Sequence, residues 1–130
     1  MPPQDFRRID AEKALTLIFS AYEHDLAYSL FDVRDAHSYG HGHIPTAQLL
    51  SERDVGSWLG TLPRDQPVLF YCFHGFSSQT FAKTFADFGF REVYSVDGGF
   101  PALVEALQRA RTVAEEPREP LATSVPAQPD

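Results

Sequence analysis

The sequence predicts an α/β domain in which a central parallel sheet is covered by helices on both faces. Three observations carry that reading. Short apolar, β-prone runs alternate along the chain with stretches of helical periodicity. One run, Pro67-Val68-Leu69-Phe70-Tyr71-Cys72, is continuously apolar and bounded by turn residues, as a strand buried on both faces must be. The chain has 130 residues, 43% of them apolar and 13% aromatic, which suffices for one packed core and leaves no length for a second domain.

Taken in order, Phe6-Arg7-Arg8-Ile9 reads as a short edge strand behind a polar lead over residues 1–5. Asp10 is an N-cap, and Ala14, Leu15, Leu17, Ile18, Phe19 and Tyr22 supply a helical stripe to about Tyr22. Tyr28 to Val33 is a buried strand. The Gly- and His-rich stretch from Ala36 to His43 is a turn or short helix, and Pro45 limits its continuation. Ser51-Glu52-Arg53-Asp54 resembles a capping box and opens a short helix through Trp58 and Leu59, with Trp58 a packing residue. After Cys72, the loop Phe73 to Ser77 leads into a helix whose Phe81, Phe85 and Phe88 recur at helical spacing as core residues, until Gly89 ends it. Val93 to Val96 is another strand. Asp97-Gly98-Gly99 turns the chain into a last helix over roughly Phe100 to Ala110. From about Thr112 the composition shifts to Glu, Pro, Ala and Ser, so residues 111–130 are expected to be a disordered tail, dispensable for activity.

The net charge of −7 argues against a nucleic-acid or anionic-membrane partner. The single cysteine excludes an intramolecular disulfide and a cysteine-rich zinc site, and a free thiol suits a reducing compartment. The longest apolar run, Val68 to Phe73, is far short of the ~20 residues of a membrane span. Met1 to Asp5 lacks the basic-then-apolar order of a signal peptide, so a cytoplasmic location is expected.

Ligands of open α/β sheets bind outside the carboxyl ends of the strands, and Cys72 sits at such an end. The loop Cys72-Phe73-His74-Gly75-Phe76-Ser77-Ser78 runs directly into a helix and contains a glycine free to take a positive φ. Inward-turned amides and a helix N-terminus together form an anion pocket without a charged side chain, and the same field favours thiolate over thiol. An acidic protein can thus attract an anion locally. The residues alone still leave two roles open for Cys72, since a free cysteine usually just packs while the strand–loop–helix context favours a nucleophile.

Four motifs, in the right order, resemble those of the single-domain rhodaneses, nearest to the short bacterial thiosulfate sulfurtransferases of GlpE type. The resemblance covers about residues 5–108. The loop from Cys72 to Ser78 is similar to that group's Cys-Tyr-His-Gly-Asn-Ser-Ser loop, differing at Phe73 and Phe76. Asp32-Val33-Arg34 matches its acidic-aliphatic-Arg strand end. Gly42-His43-Ile44-Pro45 with Ala47 matches its Gly-His-Ile-Pro-Gly-Ala signature, with Thr46 in place of glycine. Tyr94-Ser95-Val96-Asp97-Gly98-Gly99-Phe100 matches its final strand and turn.

The resemblance implies a rhodanese-like domain over residues 1–110 with a sheet of about five strands, and a thiosulfate sulfurtransferase that works through a persulfide on Cys72. The donor would be thiosulfate or another sulfane-sulfur compound, and the acceptor cyanide or a thioredoxin-like dithiol. Phe73, His74, Gly75, Phe76, Ser77 and Ser78 would bind the substrate, through the amides of Phe73 to Ser77 above all. Ser77 and Ser78 are expected to serve first as helix caps. Asp32 and Arg34 are expected to support the loop through an ion pair or hydrogen bonds beneath it rather than to act as catalytic groups, and His74 to face solvent. No metal or cofactor is implied, and His37, His41 and His43 are expected to be solvated or hydrogen-bonded. Many rhodaneses carry Arg or Lys in the loop where this chain has none, which points to weaker thiosulfate binding or a different donor.

Two rival functions remain. Cysteine phosphatases and arsenate reductases use a Cys-x5-Arg loop to clamp a dianion, but the residue six after Cys72 is Ser78. A non-catalytic partner-binding or sulfur-relay domain is the other, if Phe76 blocks the pocket.

Overall fold

The computed structural model describes residues 5–115. The elements run β1 (Arg7–Ile9), α1 (Ala11–Glu23), β2 (Ser29–Asp32), α2 (Ala36–Gly40), β3 (Gln48–Leu49), α3 (Val55–Thr61), β4 (Val68–Tyr71), α4 (Ser77–Asp87), β5 (Val93–Val96) and α5 (Gly99–Glu115). The strands form one five-stranded sheet in the order β1-β5-β4-β2-β3, and every pairing is parallel. The register aligns Asp32 with Tyr71 and Phe70 with Ser95, so the carboxyl ends of β2, β4 and β5 lie along one edge. Cys72 follows the central strand at that edge.

Strand alternation divides the core in two. Leu30, Leu69, Tyr71, Tyr94 and Val96 pack with Ala14, Leu15 and Ile18 of α1 and Leu103 and Ala106 of α5. Phe31, Val68, Phe70 and Val93 pack on the opposite face with Leu59 of α3 and Ala82, Phe85 and Ala86 of α4. Helices therefore cover both faces, which is why β4 is apolar at every position. Trp58 packs edge-on against Phe31 at 5.1 Å between ring centroids.

Asp10 caps α1 by accepting from the Lys13 amide at 2.8 Å. The buried stripe of α1 is narrower than its apolar residues suggest. Ala11, Ala14, Leu15, Ile18 and Ala21 face inward, while Leu17 and Phe19 flank that arc and Tyr22, in the last turn, is 81% exposed. Phe88 is also not core. It caps the end of α4 in an exposed position, and the positive φ of Gly89 swings Phe90 inward instead, 5.1 Å from Phe85. Ser51 forms no backbone cap. Its hydroxyl donates to Asp54 at 3.0 Å, and a 3-10 turn over Glu52–Asp54 precedes α3. The last helix continues to Glu115 rather than ending near Ala110, because no glycine or proline interrupts 100–115 beyond Pro101 in its first turn. The rest of the proline-rich segment, 116–130, lies outside the described residues. No helix among the described residues is long and apolar enough to cross a membrane.

Candidate active site

β4 delivers Cys72 to the start of a tight loop that closes into α4. Gly75 takes φ +96°, a left-handed conformation that costs glycine little. Space is equally restrictive, since a Cβ on Gly75 would stand 3.0 Å from the Gly98 nitrogen and 3.2 Å from the Val96 carbonyl. Gly99, with φ +61°, is the reciprocal contact: a Cβ there would collide with the carbonyls of Cys72 and Phe73. The Phe100 amide donates to the Cys72 carbonyl at 2.8 Å, and the Gln79 side chain donates to the Gly75 carbonyl at 2.8 Å. The loop is thus locked against the turn after β5.

Within it the sulfur is ringed by donors. The Gly75 amide reaches Cys72 Sγ at 3.1 Å and the Ser78 amide, in the first turn of α4, at 3.3 Å. The Ser78 hydroxyl lies 3.4 Å from Sγ and 2.8 Å from the Ser95 hydroxyl. Cys72 is 5% exposed, and Ser78 and Ser95 are fully buried. Burial pushes the Cys72 thiol up, but the Ser78 hydroxyl and the amides of Ser78, Gly75 and His74 outweigh it and hold the thiol below its ordinary value. The field of the α4 N-terminus acts in the same sense.

Beneath the loop, Asp32 and Arg34 form a buried ion pair. Arg34 Nη2 donates to Asp32 Oδ2 at 2.7 Å, Nε reaches both carboxylate oxygens at 3.0 and 3.1 Å, and the Arg34 amide adds a bond at 2.9 Å. Nη2 also donates to the Gly42 carbonyl at 2.7 Å, and the guanidinium stacks over Phe100 at 3.9 Å, with Phe73 at 5.5 Å. Burial lowers the Arg34 pKa and Asp32 raises it, with the net value above the ordinary one, so the guanidinium stays charged. Tyr71 accepts from the Ile44 amide at 3.0 Å, and burial together with the Asp32 carboxylate drives its pKa far above the usual phenol range. Arg34 and Tyr71 therefore hold the 42–45 turn in place. Thr46 keeps this turn at φ +74°, a strained conformation for a β-branched residue, with its hydroxyl 2.8 Å from that of Tyr28.

Cys72, Gly75 and Ser78 thus converge on one point, while Phe73, His74, Phe76 and Ser77 are exposed along the loop, Phe76 to 75%. The serines do not cap α4. Its N-cap is Phe76, with no side-chain capping bond, and the Ser78 hydroxyl faces the sulfur because α4 begins early enough to bring position 78 over Cys72. Ser95, Gly99, Phe100 and Tyr71 are site residues that sequence reasoning passes over. The lone hydroxyl of Ser95, on the strand face it shares with Val93, is the available signal. His43 stacks on Tyr39 at 3.8 Å, His37 and His41 rings lie 4.3 Å apart, and no group of three or more metal-ligating side chains occurs among the described residues.

The loop therefore holds a buried thiol at the N-terminus of α4, at the carboxyl edge of a parallel sheet covered on both faces. The chain belongs to the rhodanese-like domain family, whose model matches residues 13–106. It is 44% identical over 71 residues to the thiosulfate sulfurtransferase GlpE of Pseudoalteromonas translucida, covering 55% of this chain and 68% of that one. To the protein of the same name from Vibrio cholerae it is 38% identical over 97 residues, covering 75% and 87%. A rhodanese-like domain protein from Staphylococcus aureus shares the fold, with a TM-score of 0.64 at 18% identity over 75% of this chain and 91% of that one.

Proposed function

We propose that the protein is a thiosulfate sulfurtransferase that carries sulfur as a persulfide on Cys72. The observation that carries this is the set of partners around a buried sulfur, with the Gly75 and Ser78 amides donating to it and the Ser78 hydroxyl in hydrogen-bond contact, all within 3.4 Å. The Cys72 thiolate attacks the outer sulfur of thiosulfate. The S–S bond of the donor breaks, sulfite leaves with the electron pair, and Cys72 keeps one extra sulfur. A thiophilic acceptor, cyanide or a dithiol of thioredoxin type, then attacks that outer sulfur and releases the Cys72 thiolate. One transfer is split into two easier displacements. The loop amides hold the sulfonate oxygens and the outer persulfide sulfur, where charge develops. Asp32 and Arg34 act through the loop's shape and not on the substrate. A reducing cytoplasm is the compartment that keeps the single thiol free.

Two results are expected. Alkylation of Cys72 by iodoacetamide follows the thiolate, so a lowered pKa keeps the rate high well below the ordinary thiol value of about 8.5. Sulfite protects competitively by occupying the same donors. A profile centred at or above the ordinary value, with no protection, contradicts the pocket. Phe76→Arg supplies a loop cation where none exists and lowers the thiosulfate KM severalfold, by roughly the 1 kcal/mol of a partly screened charge pair. An unchanged KM shows that the 76 position does not see the anion. The partner-binding alternative needs Phe76 to fill the pocket, but a side chain exposed to 75% lies mostly in solvent.

A further inference from the structure

The Ser95 hydroxyl has no part in either displacement, yet it is placed unusually. β5 is Val93-Tyr94-Ser95-Val96, buried at all four positions. By strand parity Ser95 shares the face of Val93, toward α4, where an apolar side chain would match the neighbouring core. Instead a hydroxyl sits there at 0% exposure, 2.8 Å from the equally buried Ser78 hydroxyl, which in turn lies 3.4 Å from Cys72 Sγ. A buried hydroxyl carries one proton and must place it somewhere.

We propose that Ser95 is a positioning residue for sulfur transfer: by donating its proton to the Ser78 oxygen, it leaves the single Ser78 proton to point at Cys72 Sγ. The two hydroxyls form a relay with two directions. With Cys72 as a thiol, S–H donates to Ser78 and Ser78 donates to Ser95. With Cys72 as a thiolate, both bonds reverse, Ser95 donating to Ser78 and Ser78 to the sulfur. Ionisation releases the thiol proton to water, the hydroxyl rotors turn, and each serine keeps its own proton. Each bond polarises the next, so the Ser78 donation is stronger with Ser95 behind it. Ser95 acts through Ser78 and touches no substrate.

The inference rests on Cys72 being the nucleophile, and its test reads the thiol directly so that the two fail separately. Other ionisable groups around the thiol are Tyr71 and the Asp32–Arg34 pair below the loop, His74 within it, and the Arg8–Asp97 pair at 2.9 Å beside the turn after β5. The Ser78–Ser95 bond involves none of them. The experiment measures the pH profile of Cys72 alkylation, and of thiosulfate:cyanide turnover, in Ser95→Ala and Ser78→Ala. Ser95→Ala is expected to move the alkylation midpoint up by about half a pH unit, and Ser78→Ala by about one. In Ser95→Ala, kcat at mildly acidic pH falls about threefold, KM is unchanged, and the deficit closes at alkaline pH where the thiolate is complete. Ser95→Thr restores the profile, whereas Ser95→Val, its isostere without a hydroxyl, does not. If the larger side chains prevent folding, Ser95→Ala decides alone. An alkylation profile in Ser95→Ala that superimposes on wild type overturns the proposal, as does a deficit that is the same at every pH. A wild-type protein that forms no persulfide overturns the sulfurtransferase reading and leaves the thiol measurement standing.

Discussion

Replacing Cys72 by serine or alanine abolishes sulfur transfer and leaves the protein folded. The thiol is the only one in the chain, so no neighbouring sulfur substitutes for it. A serine hydroxyl at this position keeps hydrogen-bond contact with the Gly75 and Ser78 amides, but it is not ionised at neutral pH and forms no persulfide. The loss in turnover is on the order of a thousandfold or more, the scale of deleting a nucleophile while the binding groups stay. Stability changes little, by about 1 kcal/mol, because the cysteine is small and the glycine contacts that lock the loop involve backbone atoms. Circular dichroism and thermal melting, run beside thiosulfate:cyanide kinetics, separate the two effects. Activity near the wild-type level in either variant would remove Cys72 from the mechanism.

The second large effect is on stability. Arg34→Met strips the guanidinium from a pair whose side chains are 3% and 0% exposed. Asp32 is then left as a buried carboxylate without its counter-ion, and the Gly42 carbonyl loses its donor. Removing one partner of such a pair costs about 3–5 kcal/mol, against a total stability of about 5–15 kcal/mol for a domain of this kind. Phe100 loses the cation stacked 3.9 Å from its ring centroid, and its amide holds the Cys72 carbonyl, so activity declines along with stability. The double variant Asp32→Asn/Arg34→Met removes both charges and is expected to be more stable than Arg34→Met alone. Urea unfolding of wild type, Asp32→Asn, Arg34→Met and the double variant measures this coupling. A single variant within about 1 kcal/mol of wild type would show that the pair does not organise the loop.

The elements legible in the sequence are those whose signals are local. β4 and its loop stand out because a strand buried on both faces is apolar at each position and the glycine after it has one conformational use. The N-cap at Asp10 and the limits of β5 are legible for the same reason. β3 is not, since two residues, Gln48 and Leu49, carry no periodicity, and only family likeness indicates a fifth strand. Phe88 and Phe90 exchange roles because a glycine between them resets the helical phase. Ser95 is hidden for a different reason. One serine among Val, Tyr and Val reads as an ordinary strand residue until α4 is seen to bring Ser78 within 2.8 Å of it. Asp32 and Arg34 stand out through the acidic-aliphatic-Arg strand end, but their hold on Gly42 and Phe100 exists only in three dimensions.

Intact mass after incubation with thiosulfate tests the central claim most directly. The wild-type protein is expected to gain one sulfur atom, to lose it on addition of cyanide, and to gain nothing when Cys72 is replaced by serine. A wild-type mass unchanged by thiosulfate, or the same gain in Cys72→Ser, would contradict a persulfide carried on Cys72.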